Sequence, residues 1–483
     1  MLVILFCFVF ACSETLEKRS HPVKQENAIV SNSIKSFDPN DWRVLALHQD
    51  NRRFPVALLE DKFKKMAATK YAFMRGSLPL YLGHLDAPDS NLKTNFLMSD
   101  DAKKLPIFGD AHPENITVYL DPLEPHKDEN VSIEFADLDS ADYGPWIVDL
   151  RRSSMAYRLF YASTIGCGCD EIKTKQNTPC DDALFHLWEG YVSGLKPEQN
   201  ETKLFWRKSK IIEYRVTQAR DEKERKKKLE KQVNLVSGIL KKGHTEQENE
   251  PILAKKGIFD VSNVEQAMFL ISQAQPNQKD IQDTAQIYGK GVSSLPAIRY
   301  LFSWREAESS AIKLSEAREV FSPPKYPWSL EEPLRQKYDI NRMNTLRKFL
   351  WSNERADPNY QLILDTTGTN PSIFKLQSKS EYFKDVDLDK VQEWLEDGDI
   401  TEQDIVDFGW AIGYVLGSAH GRGIARATSK NGAEIIHEDI EKGGGYSAVW
   451  DEIKQTSCVE MRMISEDHDW FVASWREIVK SHP

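Results

Sequence analysis

The chain has 483 residues and carries 63 Lys and Arg against 74 Asp and Glu, a formal net charge of −11. An apolar content of 40% supports a packed core and excludes general disorder, while the acidic balance excludes a protein built to coat DNA or RNA, which needs a basic face. No internal stretch approaches the roughly 20 apolar residues of a membrane-spanning helix, and the length allows two to four structural units at roughly 100–200 residues each.

Leu2 to Ala11 is an unbroken apolar run followed by Cys12, Ser13 and Glu14. It is too short to span a bilayer and has the length of a signal-peptide core, so residues 1–12 are expected to be a signal peptide. Val9-Phe10-Ala11-Cys12 resembles a bacterial lipobox, which implies an exported chain in the bacterial cell envelope, lipid-anchored through Cys12 or periplasmic. A buried first strand or a misplaced start are the alternatives. Residues 13–40, polar and turn-rich, are expected to be a flexible tether. Beyond Cys7 and Cys12 there are four cysteines, Cys167, Cys169, Cys180 and Cys458. The first three are close enough for a local disulfide loop, with free thiols as the alternative; the paired spacing of a zinc site is missing.

Residues 41–100 have a mainly helical pattern, with Phe63, Met66 and Ala67 on one face and a break at Arg75-Gly76-Ser77. A short strand, Leu105 to Phe108, runs into Gly109-Asp110, and a second, Val131 to Phe135, runs into Asp137. Trp146, Leu150, Ser153 and Tyr157 set a helix over 146–163. The mixed-sign run Ala219 to Lys231 is a solvated helix face. Residues 286–314 have the pattern of a β-hairpin, and Pro323, Pro324 and Pro327 mark a break. Residues 331–355 and 401–420 are expected to be helical, and 360–376 strand-like.

Phe108-Gly-Asp110-Ala-His112-Pro-Glu-Asn115 and Phe135-Ala-Asp137-Leu-Asp139 are each an apolar strand ending in a carboxylate. Side by side, they bring Asp110, Asn115, Asp137 and Asp139 to one rim. That is a hard-oxygen set suited to Mg²⁺ bridging phosphates, with one carboxylate left to accept a proton from a hydroxyl. His112 orients the turn by hydrogen bonding. The bland alternative is a pair of Asp/Asn turns.

GDAHPEN resembles the catalytic loop of aminoglycoside phosphotransferases and choline-kinase-like enzymes, and FADLD with Gly144-Pro145-Trp146 and Asp149-Leu150 resembles their metal-binding segment and the helix after it. The chain is more closely similar to the bacterial domain-of-unknown-function 2252 family (DUF2252), through Tyr71, Phe73, Arg75-Gly76, GDAHPEN, the Asp-x-Asp segment, GPWIVDLRR and Gly409-Trp410 to Ala419-His420. The resemblance, running from about residue 60 to about 425, implies an α+β protein-kinase-like bilobal fold of circularly permuted motif order, with a mostly helical larger lobe and a small β-rich lobe. Residues 41–205 would form the catalytic-loop half of the larger lobe, 206–330 a charged helical segment and the small β-rich lobe, and 331–483 the remaining helical part. ATP and Mg²⁺ are the implied cofactors: Asp110 and His112 catalytic, Asn115, Asp137 and Asp139 on the metal, Lys313, Gly289, Gly291 and Arg75 on the nucleotide.

Three positions depart from the family pattern, Ser293 replacing one of the family's glycines in the hairpin turn. Pro296 replaces a glycine of the hairpin turn and has no N–H to give a phosphate, and Ser315 stands where the family has a Lys. Lys313, two residues earlier, shares that strand face and substitutes for it. Arg151 and Arg152 are expected to brace buried carboxylates, Asp149 among them, with bidentate contact to phosphate or an acidic substrate as the alternative, and His420 to be a packing or capping residue. The expected function is Mg²⁺-dependent phosphoryl transfer to an unknown small-molecule or protein acceptor; the alternative is an exported kinase-like protein that binds without catalysis. Asp110-x-His112 as the start of a metallophosphatase lacks the downstream Gly-Asp-x-x-Asp and Gly-Asn-His blocks.

Overall fold

The computed structural model describes residues 37–483 apart from 52–53, 55, 87–104, 167–168, 170–177, 196–203, 245–256, 274–278, 289–291, 293–294, 296, 308–309, 322–339, 354–355, 358–359, 369–370, 380–381 and 429–430. The chain divides into residues 1–38 and 39–483, and every helix and strand among the described residues lies in the second unit. The signal peptide and nearly all of the expected tether, the proline break, and Gly289, Gly291 and Pro296 lie outside the described residues.

The unit is a mixed α+β fold. It opens with helices α1 (Trp42–Asn51), α2 (Val56–Met66), α3 (Lys70–Gly76) and α4 (Leu78–Asp86). Strands β1 (Leu105–Ile107), β2 (Ile116–Leu120), β3 (Val131–Phe135) and β4 (Asp142–Gly144) come next, then helices α5 (Trp146–Ile165), α6 (Pro179–Leu195), α7 (Lys210–Arg220) and α8 (Glu222–Glu230). After them lie β5 (Gly243–His244), β6 (Gly257–Phe259), α9 (Val264–Gln273), β7 (Lys279–Tyr288), β8 (Arg299–Glu306), β9 (Ile312–Val320) and α10 (Ile340–Leu350). The chain closes with β10 (Gln361–Asp365), β11 (Ser372–Ser378), β12 (Phe383–Asp385), α11 (Leu388–Glu396), α12 (Glu402–Thr428), α13 (Gly432–Lys442) and α14 (Tyr446–Lys480).

Three antiparallel sheets organise these elements. β1 pairs with β4, β2 is flanked by β3 and β12, and seven strands run in the order β10-β11-β9-β8-β7-β6-β5. The hairpin expected over 286–314 is the centre of this larger sheet. β10 and β11, expected to belong with the helical C-terminal part, join it instead, so the boundary expected at residue 330 falls inside the sheet's connectivity. β11 meets β9 with Ile373 opposite Val320, a separation of 373 − 320 = 53 positions, and local pattern does not encode so long a register.

Alternation along these strands separates the sheet's two faces. Tyr300, Phe302, Ala317, Phe374 and Leu376 pack under Ala267 and Leu270 of α9. On the other face Ala285, Ile287, Leu301, Ile312 and Leu314 meet Leu229, Val233 and Leu240. The far end of that second face carries charge: Arg299 is paired with Arg318, and Arg318 with Lys375, across adjacent strands.

The main core surrounds α5, which is buried from Trp146 through Tyr161. Such all-round burial belongs to a central helix rather than an amphipathic surface one. α6 and α12 press together backbone to backbone. A Cβ on Gly413 would lie 1.9 Å from the Leu187 carbonyl oxygen, one on Gly417 2.1 Å from that of Tyr191, and one on Gly190 2.0 Å from that of Trp410. Only glycine admits this approach, and the four-residue spacing keeps the seam on one helix face. Cys169 is disulfide-bonded to Cys458 of α14, and Cys180 is also in a disulfide; the local loop expected from spacing is thus not where Cys169 goes, and Cys167 lies outside the described residues. Among the described residues no helix is long and apolar enough to cross a membrane.

Candidate active site

β1 delivers the chain to Phe108 and Gly109, and Gly109 at φ +75° turns it toward Asp110. One face of α5 then holds the turn at three points. The fully buried Asp149 accepts the backbone N–H groups of Phe108 (2.6 Å) and Gly109 (2.7 Å). Arg152 Nε donates to Asp110 Oδ1 at 2.9 Å, and the Ser153 hydroxyl donates to the Ala111 carbonyl at 2.9 Å. Residues 149, 152 and 153 share a face because helix neighbours are three and four apart. Asn115 Nδ2 donates to the Asp110 carbonyl at 2.9 Å and closes the turn from the other side.

Arg151 and Arg152 each brace a carboxylate, as the structural reading expects, but neither braces Asp149. Arg151 pairs with the buried Glu460 at 2.6 Å, while Arg152 pairs with Asp110 and donates to the Met74 carbonyl. Asp149 is held instead by His420 on α12, with Nε2 3.1 Å from Asp149 Oδ2, and the Tyr191 hydroxyl on α6 lies 2.9 Å from His420 Nδ1. His420 is therefore a positioning residue, locked into place where the glycine seam brings α6 and α12 together.

β2 and β3 pair with Ile116 opposite Phe135, and the Ala136 N–H donates to the Asn115 carbonyl at 2.8 Å. This register sets the Asp137–Asp139 segment beside the Asp110 turn. The four oxygen-bearing residues do not form one cluster, however. Asp110 faces Arg152, while Asp137 and Asp139 face the charged end of the large sheet. Arg318 Nη2 reaches Asp137 at 2.9 Å and Asp139 at 2.6 Å, and Lys375 Nζ is 3.5 Å from a carboxylate oxygen of each. Among the described residues no three His, Cys, Asp or Glu side chains form a group able to hold a metal ion.

These contacts split the two carboxylates. Burial works against ionising Asp137, yet Arg318 and Lys375 hold it well below the ordinary carboxylate range. Burial and the neighbouring Asp137 charge push Asp139 up. Two acids sharing one site titrate as a pair, one low and one high. His112 is 4% exposed, and burial, helped by Arg75 and Arg152, drives it down to about 4. It is a neutral imidazole at pH 7. Its Nε2 is 3.8 Å from Asp110 Oδ2, beyond a hydrogen bond, and its buried Nδ1 has no partner among the described residues.

The nucleotide-side expectations fare differently. Lys313 lies five residues before Arg318 on β9, so the two-residue alternation puts them on opposite faces, and about 16 Å of strand separates them. Ser315 is buried and accepts the Trp304 indole N–H at 3.1 Å, a closed contact of the other face. Arg75 pairs with Glu114 at 2.5 Å, in the turn after Asp110 and away from Asp137 and Asp139. Arg318 and Lys375 were absent from the sequence expectation. The available signal was a lone cation within the apolar stretch of β11, Ile373-Phe-Lys375-Leu376, since a buried strand carries charge only where a partner awaits it.

The fold and site thus define an α+β protein in which two acidic turns meet a cationic sheet end. Residues 53–251 match the model of the family described as "Uncharacterized protein conserved in bacteria (DUF2252)", a stretch that contains Arg75, Asp110, Asn115, Asp137 and Asp149 and stops short of Arg318 and Lys375. No curated protein and no solved structure matches the chain.

Proposed function

We propose that the protein is an Mg²⁺-dependent phosphotransferase of kinase-like bilobal fold, moving a phosphoryl group from a nucleotide to a hydroxyl acceptor. The observation that carries this reading is the meeting of Asp137 and Asp139 with Arg318 and Lys375 beside the Asp110 turn. Two carboxylates and two cations balance, so a bare dication gains little there. A polyphosphate brings its own negative charge, which Arg318 and Lys375 can receive as Asp137 and Asp139 turn to its cation. Asn115 fits the same role, because its amide N–H₂ serves the Asp110 carbonyl and leaves Oδ1 open as a hard oxygen. When bound, Mg²⁺ would neutralise charge on the transferring phosphoryl group. Asp110 would take the acceptor's hydroxyl proton, its carboxylate aimed by Arg152 and its backbone fixed by Asp149. Arg318 and Lys375 take the part that the resemblance assigned to Lys313.

The chain is proposed to act outside the cytoplasmic membrane, anchored through Cys12 or periplasmic. The Leu2–Ala11 run and the Cys169–Cys458 disulfide support an oxidising compartment. Specific observations also favour a second reading, an exported kinase-like protein that binds a ligand or partner without catalysis. Arg318 bridges both metal-ligand candidates, and in the sequence Pro296 and Ser315 stand where the family pattern has a Gly and a Lys.

A thermal-shift titration with Mg²⁺-ATP tests the first reading, because a ligand that binds only the native state at 100 times its Kd adds about 2.7 kcal/mol of stability. The expected result is a rise at millimolar Mg²⁺-ATP in the wild type that Asp137→Asn abolishes. No rise leaves the second reading standing.

A further inference from the structure

A cleft of about 670 Å³ opens beside the Asp110 turn, between α2, α3, α5, α11 and α14. Its volume falls within the roughly 300–1,000 Å³ of small-molecule sites. The Arg75–Glu114 pair forms its inner end, and Glu114 belongs to the same turn as Asp110, four residues on. Two donors at that end are buried and unpartnered among the described residues: the Tyr71 hydroxyl and Arg75 Nε. Burial, with Glu114 next, pushes the Tyr71 phenol well up, so it remains a hydroxyl; Arg152 and Asp110 lie within its electrostatic reach. Buried donors with no acceptor are rare; both atoms are closed off from solvent here, so a ligand oxygen serves this pair once the two side chains turn into the cleft.

The walls are apolar, built from Leu159, Phe160, Leu388 and Met461. Charge in the lining nearly cancels: Lys65, Lys70 and Arg75 stand against Glu114 and Asp389. A strongly anionic or cationic molecule gains little from such a surface, whereas an uncharged one with oxygens at one end and an apolar face gains from both. We propose that this cleft binds an uncharged small molecule bearing hydroxyl groups on an apolar frame, held by Tyr71 and Arg75 at its inner end. It rests on the phosphotransferase reading only in naming that molecule as the acceptor, since the inner end is where a hydroxyl would approach Asp110.

The test is ligand-observed NMR on the full chain without nucleotide, with p-nitrophenyl β-glucoside as probe and p-nitrophenyl phosphate as its charged counterpart. The glucoside is expected to bind the wild type, about tenfold more weakly to Tyr71→Phe, and not at all to Ser163→Trp, which fills the cleft from an exposed position. Tyr71→Phe removes a hydroxyl that bonds nothing among the described residues, so its melting temperature should match the wild type, separating lost binding from lost folding. Asp137→Asn should bind the glucoside as the wild type does, so a failure of the nucleotide experiment does not touch this one. Absence of glucoside binding, binding indifferent to both cleft variants, or tighter binding of the phosphate each overturns the proposal.

Discussion

Replacing Gly413 by alanine adds one methyl group, and its neighbours dictate a large effect. The new Cβ would lie 1.9 Å from the Leu187 carbonyl oxygen and 2.7 Å from the Tyr191 nitrogen, both backbone atoms of α6. Real Cβ atoms essentially never come within 3.0 Å, so α12 and α6 must separate by at least 3.0 − 1.9 = 1.1 Å. A gap of about 1 Å forfeits a quarter to a half of the dispersion attraction of every atom pair it opens. The seam's other glycines, at 190, 194, 417 and 421, sit on the same two backbones and open with it. Overpacking costs about 1–3 kcal/mol, and this site belongs at the top of that range because no side-chain rotamer can yield. Alanine's better helix propensity returns about 1 kcal/mol. The net expectation is a loss of about 2 kcal/mol, read by urea unfolding as a lower midpoint at unchanged slope. The sign is the decisive feature, since an unconstrained helical glycine would be stabilised by the same change. A Gly413→Ala protein as stable as the wild type, or more so, would refute the backbone-contact argument.

Asp149→Asn should lose about 2–3 kcal/mol in the same assay, because three N–H donors converge on the carboxylate and the amide nitrogen must face one of them; a change under about 0.5 kcal/mol would count against its role in holding the turn. Arg318→Met should leave Asp137 and Asp139 with Lys375 as the one cation ion-paired to both carboxylates among the described residues, and millimolar Mg²⁺ without nucleotide should then raise the melting temperature of the variant but not of the wild type. Equal responses of both proteins would sink the charge-balance argument. His112 gives a pH signature. Its folded value of about 4 lies below the ordinary 6.5, so the unfolded chain binds the extra proton first as pH falls. Its contribution is complete above pH 6.5 and is lost on descending toward 4, about 3 kcal/mol in all for a side chain 5% exposed. His112→Leu should flatten that limb of the stability–pH curve by about one proton, and an unchanged slope would show that the imidazole titrates normally.

The parts of the site that neighbouring residues determine were legible in the chain. A strand ending in a carboxylate needs only a few consecutive residues, which is why the turns at Asp110 and Asp137 emerged with their strands β1 and β3. The helix at 146–163 came from its own spacing and is observed as Trp146–Ile165. Even the triple hold on the Asp110 turn had a local sign in Asp149, Arg152 and Ser153 on one helix face, although which of them meets Asp110 depends on how α5 docks. The cations were a different problem. Arg318 and Lys375 become neighbours through the β9–β11 register, and the sequence offers no measure of which strands will adjoin. Lys313, chosen to keep the family's chemistry, lies on the opposite face of β9 from Arg318, because an odd number of strand positions separates them. His420 illustrates the same limit, since its partner Asp149 is 271 residues away.

The bond between Cys169 and Cys458 closes a covalent ring around 289 positions of the sequence, taking in α6 to α13 and the whole large sheet. A protease that cuts once anywhere between those two cysteines therefore opens the ring without releasing a piece. Under non-reducing conditions the nicked protein keeps the mass of the intact one, and its two ends stay together at the junction of α5 and α14. Damage to an exposed loop between the two cysteines then stops short of dissociation.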